Sequence, residues 1–335
     1  MASIKDVARL AGVSVGTVSN VLNRPEQVSP ERRALVERAI AELSFVRNEP
    51  ARQLRAGVSR TIAVVVLDIA NPFFTDLVKG AEEAAEQHDA QVIVCNSNGD
   101  PEREARHLRL MEQQRVLGIL LSPVNEDLST QLLATQRRQA PVVFVDRVTT
   151  APPYASVAVN DIHGGSLVGE LLAATGHERV AFLGGPLSLR QVNDRLYGLR
   201  SAGRGLRVDV HETSDMSTRG GAEGLARVLA GPPDSRPTAL FCANDLLAIG
   251  AINECVHRGI AVPDELSVVG YDDISFASTA SVPLTTVAQP RQQLGRTAVE
   301  LLLGMAGDEP SAELPQHIVF EPELVIRSST RAAPQ

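Results

Sequence analysis

The sequence predicts an α/β protein with two parts: a small all-α headpiece containing a helix-turn-helix, and a larger body of two lobes with parallel sheets. Two observations support this prediction. The first sixty residues contain three short amphipathic patterns with helical spacing, broken by a glycine and a proline. Beyond them, short apolar runs alternate with helical stretches about every 25 to 30 residues, which is typical of parallel sheets covered by helices.

The first helix of the headpiece is predicted to begin after Ser3 and to end at Gly12. Ser3 and Asp6 have the spacing of a capping box, in which each residue bonds to the backbone of the other. Gly12 breaks the helical pattern and permits a tight turn. The apolar residues of this helix recur on one face at i, i+3, i+4 and i+7: Ile4, Val7, Ala8 and Ala11.

A second helix is predicted after the turn, with Ser14 as its N-cap. Gly16 and Asn20 point away from its buried side, and this exposed face carries small, uncharged groups that can approach the edges of DNA bases. Two helices joined by a tight glycine turn form a helix-turn-helix, although an ordinary helical hairpin has the same local pattern. The buried side is formed by Val18, Val21 and Leu22.

Two further features favour the DNA-binding alternative. A third amphipathic helix follows, with Ser29 as its cap and Pro30 in its first turn, and completes a three-helix core. Residues 1–60 hold ten Lys and Arg against six Asp and Glu, a net charge of +4, so the remaining residues hold 22 against 34, a net charge of −12. The basic end suits DNA phosphates, which would repel the acidic body.

Residues 4–23, IKDVARLAGVSVGTVSNVLN, resemble the helix-turn-helix of the LacI/GalR family of transcriptional repressors. The resemblance extends over essentially the whole chain. Members of that family also have a hinge helix with the pattern AR.L, which becomes ordered on the operator, and residues 48–57, NEPARQLRAG, match it. Such a short segment is not a stable helix by itself in water.

The resemblance implies that the second helix reads the operator. Val15, Gly16 and Asn20 would occupy its base-reading positions. Because Val15 and Gly16 offer no side-chain hydrogen bonds, specificity would depend on Asn20, methyl contacts and DNA shape. The hydroxyl groups expected to contact phosphates or to add secondary base contacts belong to Ser14, Thr17 and Ser19.

The resemblance also assigns roles in the hinge. Leu54 matches the leucine that wedges into the central base step from the minor groove and kinks the duplex. Arg55 would lie beside it in that groove, with Arg52 next to the DNA backbone.

Composition bounds the remaining possibilities. No stretch approaches about 18 uncharged apolar residues, and the N-terminus carries Lys5, Asp6 and Arg9 without an apolar signal region, so neither membrane insertion nor secretion is expected. The three cysteines are an odd number without metal-like spacing, which predicts reduced core thiols rather than disulfides or a zinc site. We therefore predict a cytoplasmic protein with neither a metal nor a cofactor.

Eight apolar runs in the body are predicted to be strands, in two series of four. Two such series imply two similar lobes. The first series is residues 62–67, 92–95, 118–121 and 142–145, and the second is residues 180–183, 208–210, 239–242 and 267–270.

Polar residues follow most of these strands at their carboxyl ends. Open parallel sheets bind ligands at this edge, so their recurrence in both series predicts a cleft between the lobes. Asp and Asn also often cap the helix after a strand, and that alternative applies to each residue singly. The residues concerned are Asp68, Asn96, Asp146, Arg147, Asn244, Asp245, Asp272 and Asp273.

The body resembles the periplasmic-binding-protein-like effector domain of the same family, which implies a small effector bound between the lobes. Arg195 and Asp272, on opposed loops, would donate to and accept from vicinal hydroxyl groups. Asp146 and Arg147 match a polar pair that is frequent in sugar-responsive members. The predicted effector contacts are Phe73, Phe74, Asp146, Arg147, Arg195, Asn244 and Asp272.

An aromatic ring can cover the apolar face of a sugar, and Phe73 and Phe74 are the candidates. Both are also compatible with a place in the hydrophobic core. Leu189 and Gln191 are predicted to lie in a specificity loop before Arg195.

These observations predict a transcriptional repressor and not an enzyme, since the sequence contains no nucleotide-binding glycine loop, nucleophile elbow or zinc-protease motif. The predicted partners are a palindromic operator in double-stranded DNA, a second copy of the chain and a small effector. The effector is expected to be a neutral pentose or hexose, or its phosphate. Two alternatives are a sugar-binding transport protein without DNA function and a regulator with a nucleobase-type effector.

The patterns also predict domain boundaries. We expect a helix-turn-helix domain at residues 1–47, a hinge at 48–59, an effector and dimerisation domain at 60–327 and a tail at 328–335. Within the effector domain, one lobe would take about 60–160 and 290–320, and the other about 161–289 and 321–327.

Overall fold

The computed structural model describes residues 2–45, 59–135, 140–149, 154–232, 236–306 and 317–333. Contacts divide the chain into two compact units, residues 1–58 and 59–335. Helices form the described part of the first unit, and the second carries two six-stranded sheets. The predicted hinge helix, with Arg52, Leu54 and Arg55, lies outside the described residues.

The headpiece folds as the three predicted helices. α1 spans Ile4–Ala11, α2 spans Val15–Asn23 and α3 spans Pro30–Glu42, with a short 3-10 helix at Pro25–Gln27. Ser29 precedes α3 as predicted, although its side chain makes no capping hydrogen bond. All three helices contribute to one apolar core, whose buried residues are Val7, Ala8, Ala11, Val18, Val21, Val36 and Ala39.

The turn between α1 and α2 follows the signals in the sequence. Gly12 has a φ of 65°, a left-handed conformation that favours glycine. The carboxylate of Asp6 accepts hydrogen bonds from the backbone N–H and the hydroxyl of Ser3 at 2.9 and 2.6 Å. Oγ of Ser14 accepts the N–H of Thr17 at 3.0 Å and so caps α2. These contacts fix where α2 begins.

The first sheet of the larger unit is parallel throughout. Its strands are β1 Thr61–Val66, β2 Gln91–Asn96, β3 Gly118–Leu121, β4 Val142–Val145, β5 Ala155–Val159 and β11 His317–Phe320. They are ordered β11-β5-β4-β3-β1-β2, with Ile62 paired to both Val92 and Gly118. β1, β3, β4 and β5 are almost fully buried, whereas β2 is an exposed edge strand.

The second sheet repeats this arrangement. Its strands are β6 Arg179–Gly184, β7 Arg207–Glu212, β8 Ala239–Cys242, β9 Ser267–Asp272, β10 Thr285–Ala288 and β12 Glu323–Val325. The order is β12-β10-β9-β8-β6-β7. Only the pairing of β12 with β10 is antiparallel within this sheet. The predicted α/β class with parallel sheets is therefore confirmed, with this one antiparallel edge.

Helices cover both sheets. They are α4 Pro72–Gln87, α5 Pro101–Gln114, α6 Glu126–Ala134, α7 Asp161–Ala174, α8 Arg190–Ala202, α9 Thr218–Leu229, α10 Asp245–Arg258 and α11 Arg291–Ala306. Separate apolar clusters form around each sheet, which gives the unit two lobes.

The chain passes between the sheets at three places. It leaves the first sheet after β5, returns after β10 to form α11 and β11, and crosses again to form β12. Two of these crossings are tied together, because Nδ2 of Asn160 donates to the carboxylate of Glu321 at 3.1 and 3.2 Å. The third crossing contains Gln289 and Pro290.

All eight predicted strands are present, but β5, β10, β11 and β12 are additional. Each is only three to five residues long. Length alone does not set them apart, since β3, β4 and β8 have four residues each. The additional strands contain polar or small residues and lack the strong apolar character by which a strand is recognised in a sequence. Residues 328–333, predicted as part of a tail, pack on the second lobe, where the hydroxyl of Ser329 donates to the carbonyl of Val268 at 2.6 Å.

Candidate DNA-reading helix and effector site

Helix α2 presents most of its predicted DNA-reading residues to solvent. Val15, Gly16 and Asn20 are exposed, and no acidic residue stands in the first turn. Oγ of Ser14 and Oγ1 of Thr17 lie 2.9 Å apart, so both hydroxyls are also part of the helix cap. Ser19 and Thr17 are half-buried. The exposed amide and the uncharged helix start are groups that suit base edges and a phosphate respectively.

The larger unit holds a buried cluster of charged residues around Arg195, at the carboxyl edge of the second sheet. Arg195 lies in the second turn of α8 and is 3% exposed. Its Nε donates to Oδ1 of Asp161 at 2.8 Å, and its Nη1 donates to the carbonyl of Ala243 at 2.6 Å. Nη1 is also 3.8 Å from Oδ1 of Asp272. The guanidinium carbon lies 3.7 Å above the ring of Tyr271, a cation–π contact.

The charges in this cluster are unbalanced. Burial raises the pKa of Asp146 well above its ordinary value, and the neighbouring charge of Asp161 raises it further. Burial also raises the pKa of Asp272 to about 6, although the charge of Arg195 opposes the shift. Burial alone would lower the pKa of Arg195, but the adjacent carboxylates, Asp161 first, outweigh it and raise that pKa. One buried cation is thus shared among three carboxyl groups.

Two amide side chains hold the carboxylate of Asp272. Nε2 of Gln289 donates to its Oδ1 at 2.7 Å, and Nδ2 of Asn71, in the first lobe, is 3.5 Å from its Oδ2. The backbone of Asp272 has a φ of 110°, a region that side-chain-bearing residues rarely adopt. Oε1 of Gln289 is buried and has no hydrogen-bond partner among the described residues. Such a group is costly to leave unpaired, which favours a ligand hydroxyl as its partner.

Asp146 and Arg147 follow β4 on the first lobe. Nε2 of Gln191, from α8, donates to Oδ2 of Asp146 at 3.2 Å, so this contact crosses between the lobes. Nη2 of Arg147 lies 3.0 Å from Oε2 of Glu126, and this ion pair is mostly buried. Burial lowers the pKa of Arg147, while Glu126 opposes that change. The positive charge of Arg147 is therefore already matched.

Asn244 acts as a helix cap, the alternative that the sequence left open. Its Oδ1 accepts the N–H of Leu247 at 2.9 Å, and its Nδ2 donates to the carbonyl of Met216 at 3.0 Å. Phe73 and Phe74 are buried in the core of the first lobe, with ring centroids 5.0 Å apart in an edge-to-face arrangement. Core packing accounts for both rings, and a contact with an effector stays a prediction for all three residues.

Two expectations about loops are wrong. Arg195 and Asp272 are not on opposed loops but on α8 and β9 of the same lobe, because the helical pattern begins earlier than expected. Leu189 is the N-cap of α8, and Gln191 lies in its first turn rather than in a loop. The opposing lobe instead contributes Asn71 and Asp146.

Sequence reasoning missed several members of the cluster. Asp161 and Gln289 follow β5 and β10, two strands that the pattern did not predict, so their position at a strand end was hidden. Asn71 was not predicted as a site residue, because attention in the same segment went to Phe73 and Phe74. Its capping role, with Oδ1 accepting the N–H of Phe73 at 3.0 Å, was the available signal.

Within the described ranges, no group of three or more His, Cys, Asp and Glu side chains has an arrangement that could hold a metal ion. None of the helices described is long and apolar enough to span a bilayer.

The fold and these two sites define a class: a DNA-binding headpiece joined to a body with the two-lobed fold of small-molecule binding proteins. Residues 3–48 match the family model for bacterial regulatory proteins of the lacI family, and residues 169–330 match a periplasmic binding protein-like domain. The chain is 34% identical over 341 residues to the transcriptional repressor PurR of Aliivibrio fischeri, with 98% of each chain covered. It is 36% identical over 307 residues to the ribose operon repressor of Escherichia coli, covering 90% of this chain and 92% of that one.

Among solved structures, the Lac repressor dimer bound to operator and the anti-inducer ONPF has a TM-score of 0.86 and 30% identity, with 99% of both chains covered. The chain therefore belongs to the LacI family of DNA-binding transcriptional regulators, which confirms the resemblance carried by residues 4–23. The relatives named here are repressors rather than enzymes.

Proposed function

We propose that this protein is a homodimeric repressor that binds a palindromic operator and whose operator affinity is controlled by a neutral sugar held between its two lobes. The observation that carries the effector assignment is the buried cluster in which Asp146, Asp161 and Asp272 surround Arg195. Operator reading rests on the exposed face of α2.

For DNA, α2 offers an amide at Asn20, a methyl-bearing surface at Val15 and a close approach at Gly16, all exposed. These groups suit major-groove edges, while the capped start of the helix suits a phosphate. The hinge residues Arg52, Leu54 and Arg55 keep the role that the family resemblance implies: a minor-groove wedge with basic neighbours.

For the effector, the site supplies carboxylates that accept hydrogen bonds and a guanidinium that donates them. Vicinal hydroxyls can pair with both groups at once, because each hydroxyl donates one bond and accepts others. Asp272 and Arg195 provide one such pair, only 3.8 Å apart. Gln289 adds an acceptor, Oε1, that has no hydrogen-bond partner among the residues described.

Charge favours a neutral sugar over a sugar phosphate. The cluster holds three carboxyl groups against the single charge of Arg195, since Arg147 is already paired with Glu126. A phosphate carries up to two further negative charges into the same buried space, where like charges repel strongly. The similarity to the ribose operon repressor makes D-ribose the first probe.

Dimer formation is supported by apolar surface that the described chain leaves uncovered. Edge strand β2 exposes both Ile93 and Val94, at 39% and 37%. Successive residues of a strand face opposite sides, so apolar surface is exposed on both faces of this edge. On the second lobe, Phe276 is 56% exposed beside a surface cavity of about 330 Å³. Contiguous apolar surface marks protein interfaces, which makes these two places the candidates for the dimer contact. The cavity is lined by Thr218, Leu246, Ile249, Phe276, Thr279 and Ala280.

Regulation would follow from the contacts that cross between the lobes. Asn71 reaches toward Asp272, and Gln191 bonds to Asp146, so an effector that replaces either contact changes the angle between lobes. In a dimer that angle sets the separation of the two hinge segments on DNA. Coupling of this type typically changes operator affinity about 5- to 150-fold.

The deciding experiment is an operator titration by fluorescence anisotropy, using duplexes from the protein's own promoter region at fixed salt. D-ribose, other neutral pentoses and hexoses, ribose 5-phosphate and purine bases are added in turn. We expect tight, specific binding whose affinity changes with one neutral sugar.

A response to ribose 5-phosphate alone would contradict the charge argument, and a response to purine bases alone would move the effector to the nucleobase class. If no promoter fragment is bound specifically, the alternative of a sugar-binding transport protein without DNA function is favoured instead.

A further inference from the structure

Arg291 contacts both lobes from the crossing at which the chain returns to the first lobe. It is the first residue of α11, and its side chain is 18% exposed. Nε donates to Oδ2 of Asp76, on α4 of the first lobe, at 2.8 Å. Nη1 donates to the backbone carbonyls of Asp272 and Asp273, at the end of β9 in the second lobe. One guanidinium thus joins a helix of one lobe to a strand end of the other by charge-assisted hydrogen bonds.

The two carbonyls belong to a strained stretch of backbone. Asp272 and Asp273 have φ values of 110° and 51°, and consecutive positive φ values are unfavourable for residues with side chains. Such a conformation persists only where surrounding contacts hold it. Arg291 holds the carbonyls, and Nη2 of Arg327 lies 2.7 Å from Oδ1 of Asp273. Because the backbone aims the side chain, these contacts also set the direction of the Asp272 carboxylate.

On the first lobe, α4 and α11 form a closely packed pair. A Cβ added at Gly80 would lie 1.9 Å from the carbonyl of Gln292, and one at Gly295 would lie 1.9 Å from the carbonyl of Leu77. The helix backbones are therefore in direct contact, and we expect the two helices to move as one. Asn71, the N-cap of α4, is the second link between this pair and Asp272.

We propose that Arg291 is a positioning residue, which aims the Asp272 carboxylate into the cleft and transmits a change at that carboxylate to the α4–α11 pair. The proposal rests on the proposed function in one respect, that Asp272 contacts the effector. Arg291 itself bonds to backbone carbonyls and to Asp76, so it acts through Asp272 rather than on the effector.

The variants Asp76→Asn, Arg291→Lys and Arg291→Met separate aiming from transmission. Asp76→Asn weakens the link to α4 but leaves the carbonyl contacts, so D-ribose affinity is kept. Arg291→Met removes the link to α4 and the carbonyl contacts together, so D-ribose should bind more weakly. Arg291→Lys keeps a cation beside the carbonyls and should therefore restore much of the D-ribose affinity. A matched control is Arg296→Met, which removes another α11–α4 ion pair, with Glu83 at 2.8 Å, away from the strained backbone.

The readouts are the D-ribose Kd of the full chain and the ratio of operator affinities with and without D-ribose. In Asp76→Asn the ratio falls from its starting value, typically about 5 to 150, toward 1, while Kd changes little. In Arg296→Met both stay as in the unmodified protein. An Asp76→Asn variant that keeps the full ratio overturns the transmission role.

Hydrogen exchange of the ligand-free protein tests the aiming role without any effector. Arg291→Met should speed exchange in residues 267–276, Arg291→Lys should largely restore protection, and Arg296→Met should leave that segment unchanged. Unchanged exchange there in Arg291→Met overturns the proposal. If the unmodified protein neither binds D-ribose nor responds to it, the proposed effector is wrong. The hydrogen-exchange comparison of the Arg291 variants then decides the role of Arg291 by itself.

Discussion

Asp272 carries an ionisable group where burial by itself favours a neutral one. Burial raises its pKa to about 6, against 3.8 for an ordinary Asp, and the charge of Arg195 offsets only part of that shift. Its backbone is also strained. Ionisation and strain at one residue both lower stability, which is typical of a functional position rather than a structural one.

We therefore expect Asp272→Asn to stabilise the ligand-free protein at neutral pH. With a folded-state pKa above the unfolded value, the folded state binds more protons between about pH 4 and 6, so stability falls as pH rises through that window. A pKa of about 6 in place of 3.8 corresponds to about 3 kcal/mol of stability, which is lost above about pH 6. The variant cannot ionise, so thermal unfolding should show its advantage near pH 7.5 shrinking toward pH 4.

A matched control is Asp209→Asn, at an exposed position of edge strand β7. It should not reproduce the gain in stability near pH 7.5 that is expected of Asp272→Asn. In the same samples Asp272→Asn should lose D-ribose binding. An advantage of Asp272→Asn that is constant with pH would contradict the assignment of the shift to this carboxyl.

A site residue could be predicted from the sequence only where the strand that leads to it could be predicted. Asp146 and Asp272 follow strongly apolar runs, VVFV and SVVGY, so they were expected at the cleft edge. Asp161 and Gln289 follow β5 and β10, which are no shorter than β4 but have Ala, Ser or Thr at most positions and so do not stand out. Buried partners such as Asn71 depend on how the two lobes come together, and no local pattern contains that information.

Among the elements, α2 contains a glycine that the fold does not require. A Cβ at Gly16 would meet only Oγ of Ser14, at an ordinary distance of 3.6 Å. Within a helix, glycine is less favourable than alanine by about 0.5 to 1 kcal/mol. Gly16 lies on the exposed face, which points to the close approach of DNA as the reason for its presence. Gly12 differs, since its φ of 65° itself favours glycine.

The pair Gly16→Ala and Gly12→Ala tests this distinction. Gly16→Ala should raise the free energy of unfolding of the headpiece by about 0.5 to 1 kcal/mol and still weaken operator binding, because the methyl group occupies the space for the base edge. Gly12→Ala should lower stability by about 1 to 2 kcal/mol, since a side chain is strained there. Calorimetry and operator titration of the full chain measure both quantities. Unchanged operator affinity in Gly16→Ala would remove the functional reason for that glycine.

Helix pairs in the larger unit show why element packing escapes prediction. α4 with α11, α7 with α8, and α9 with α10 each meet through reciprocal glycines, where a Cβ would lie about 2 Å from a backbone carbonyl. In the α7–α8 pair these are Gly165 and Gly198, which set the spacing of Asp161 and Arg195. In a sequence, a glycine inside a helical pattern only weakens the expectation of a helix. Its partner glycine lies 29 or more residues away along the chain, so the pairing becomes visible only in three dimensions.

For the whole molecule, charge and symmetry both favour operator binding by a dimer. The basic headpiece region has a net charge of +4, whereas the rest of the chain has −12. A single headpiece therefore offers few phosphate contacts against a repelling body, and binding energy from phosphates scales with the number neutralised. Two headpieces on one palindrome double that number. We therefore expect dimerisation through the larger unit to be required for tight operator binding.

The surface around Phe276 should carry that dimer. Phe276→Asp places a charge on an apolar surface that a second copy would bury, and loss of a central aromatic anchor typically costs at least about 2 kcal/mol of association. Sedimentation velocity should show monomers at concentrations where the unmodified protein is dimeric, with operator affinity reduced in parallel. Tyr197→Asp is the control, since Tyr197 is 61% exposed on α8 but does not line that cavity. If Phe276→Asp sediments as the same dimer as Tyr197→Asp, subunits pair through another surface, and exposed β2 with Ile93 and Val94 becomes the first candidate.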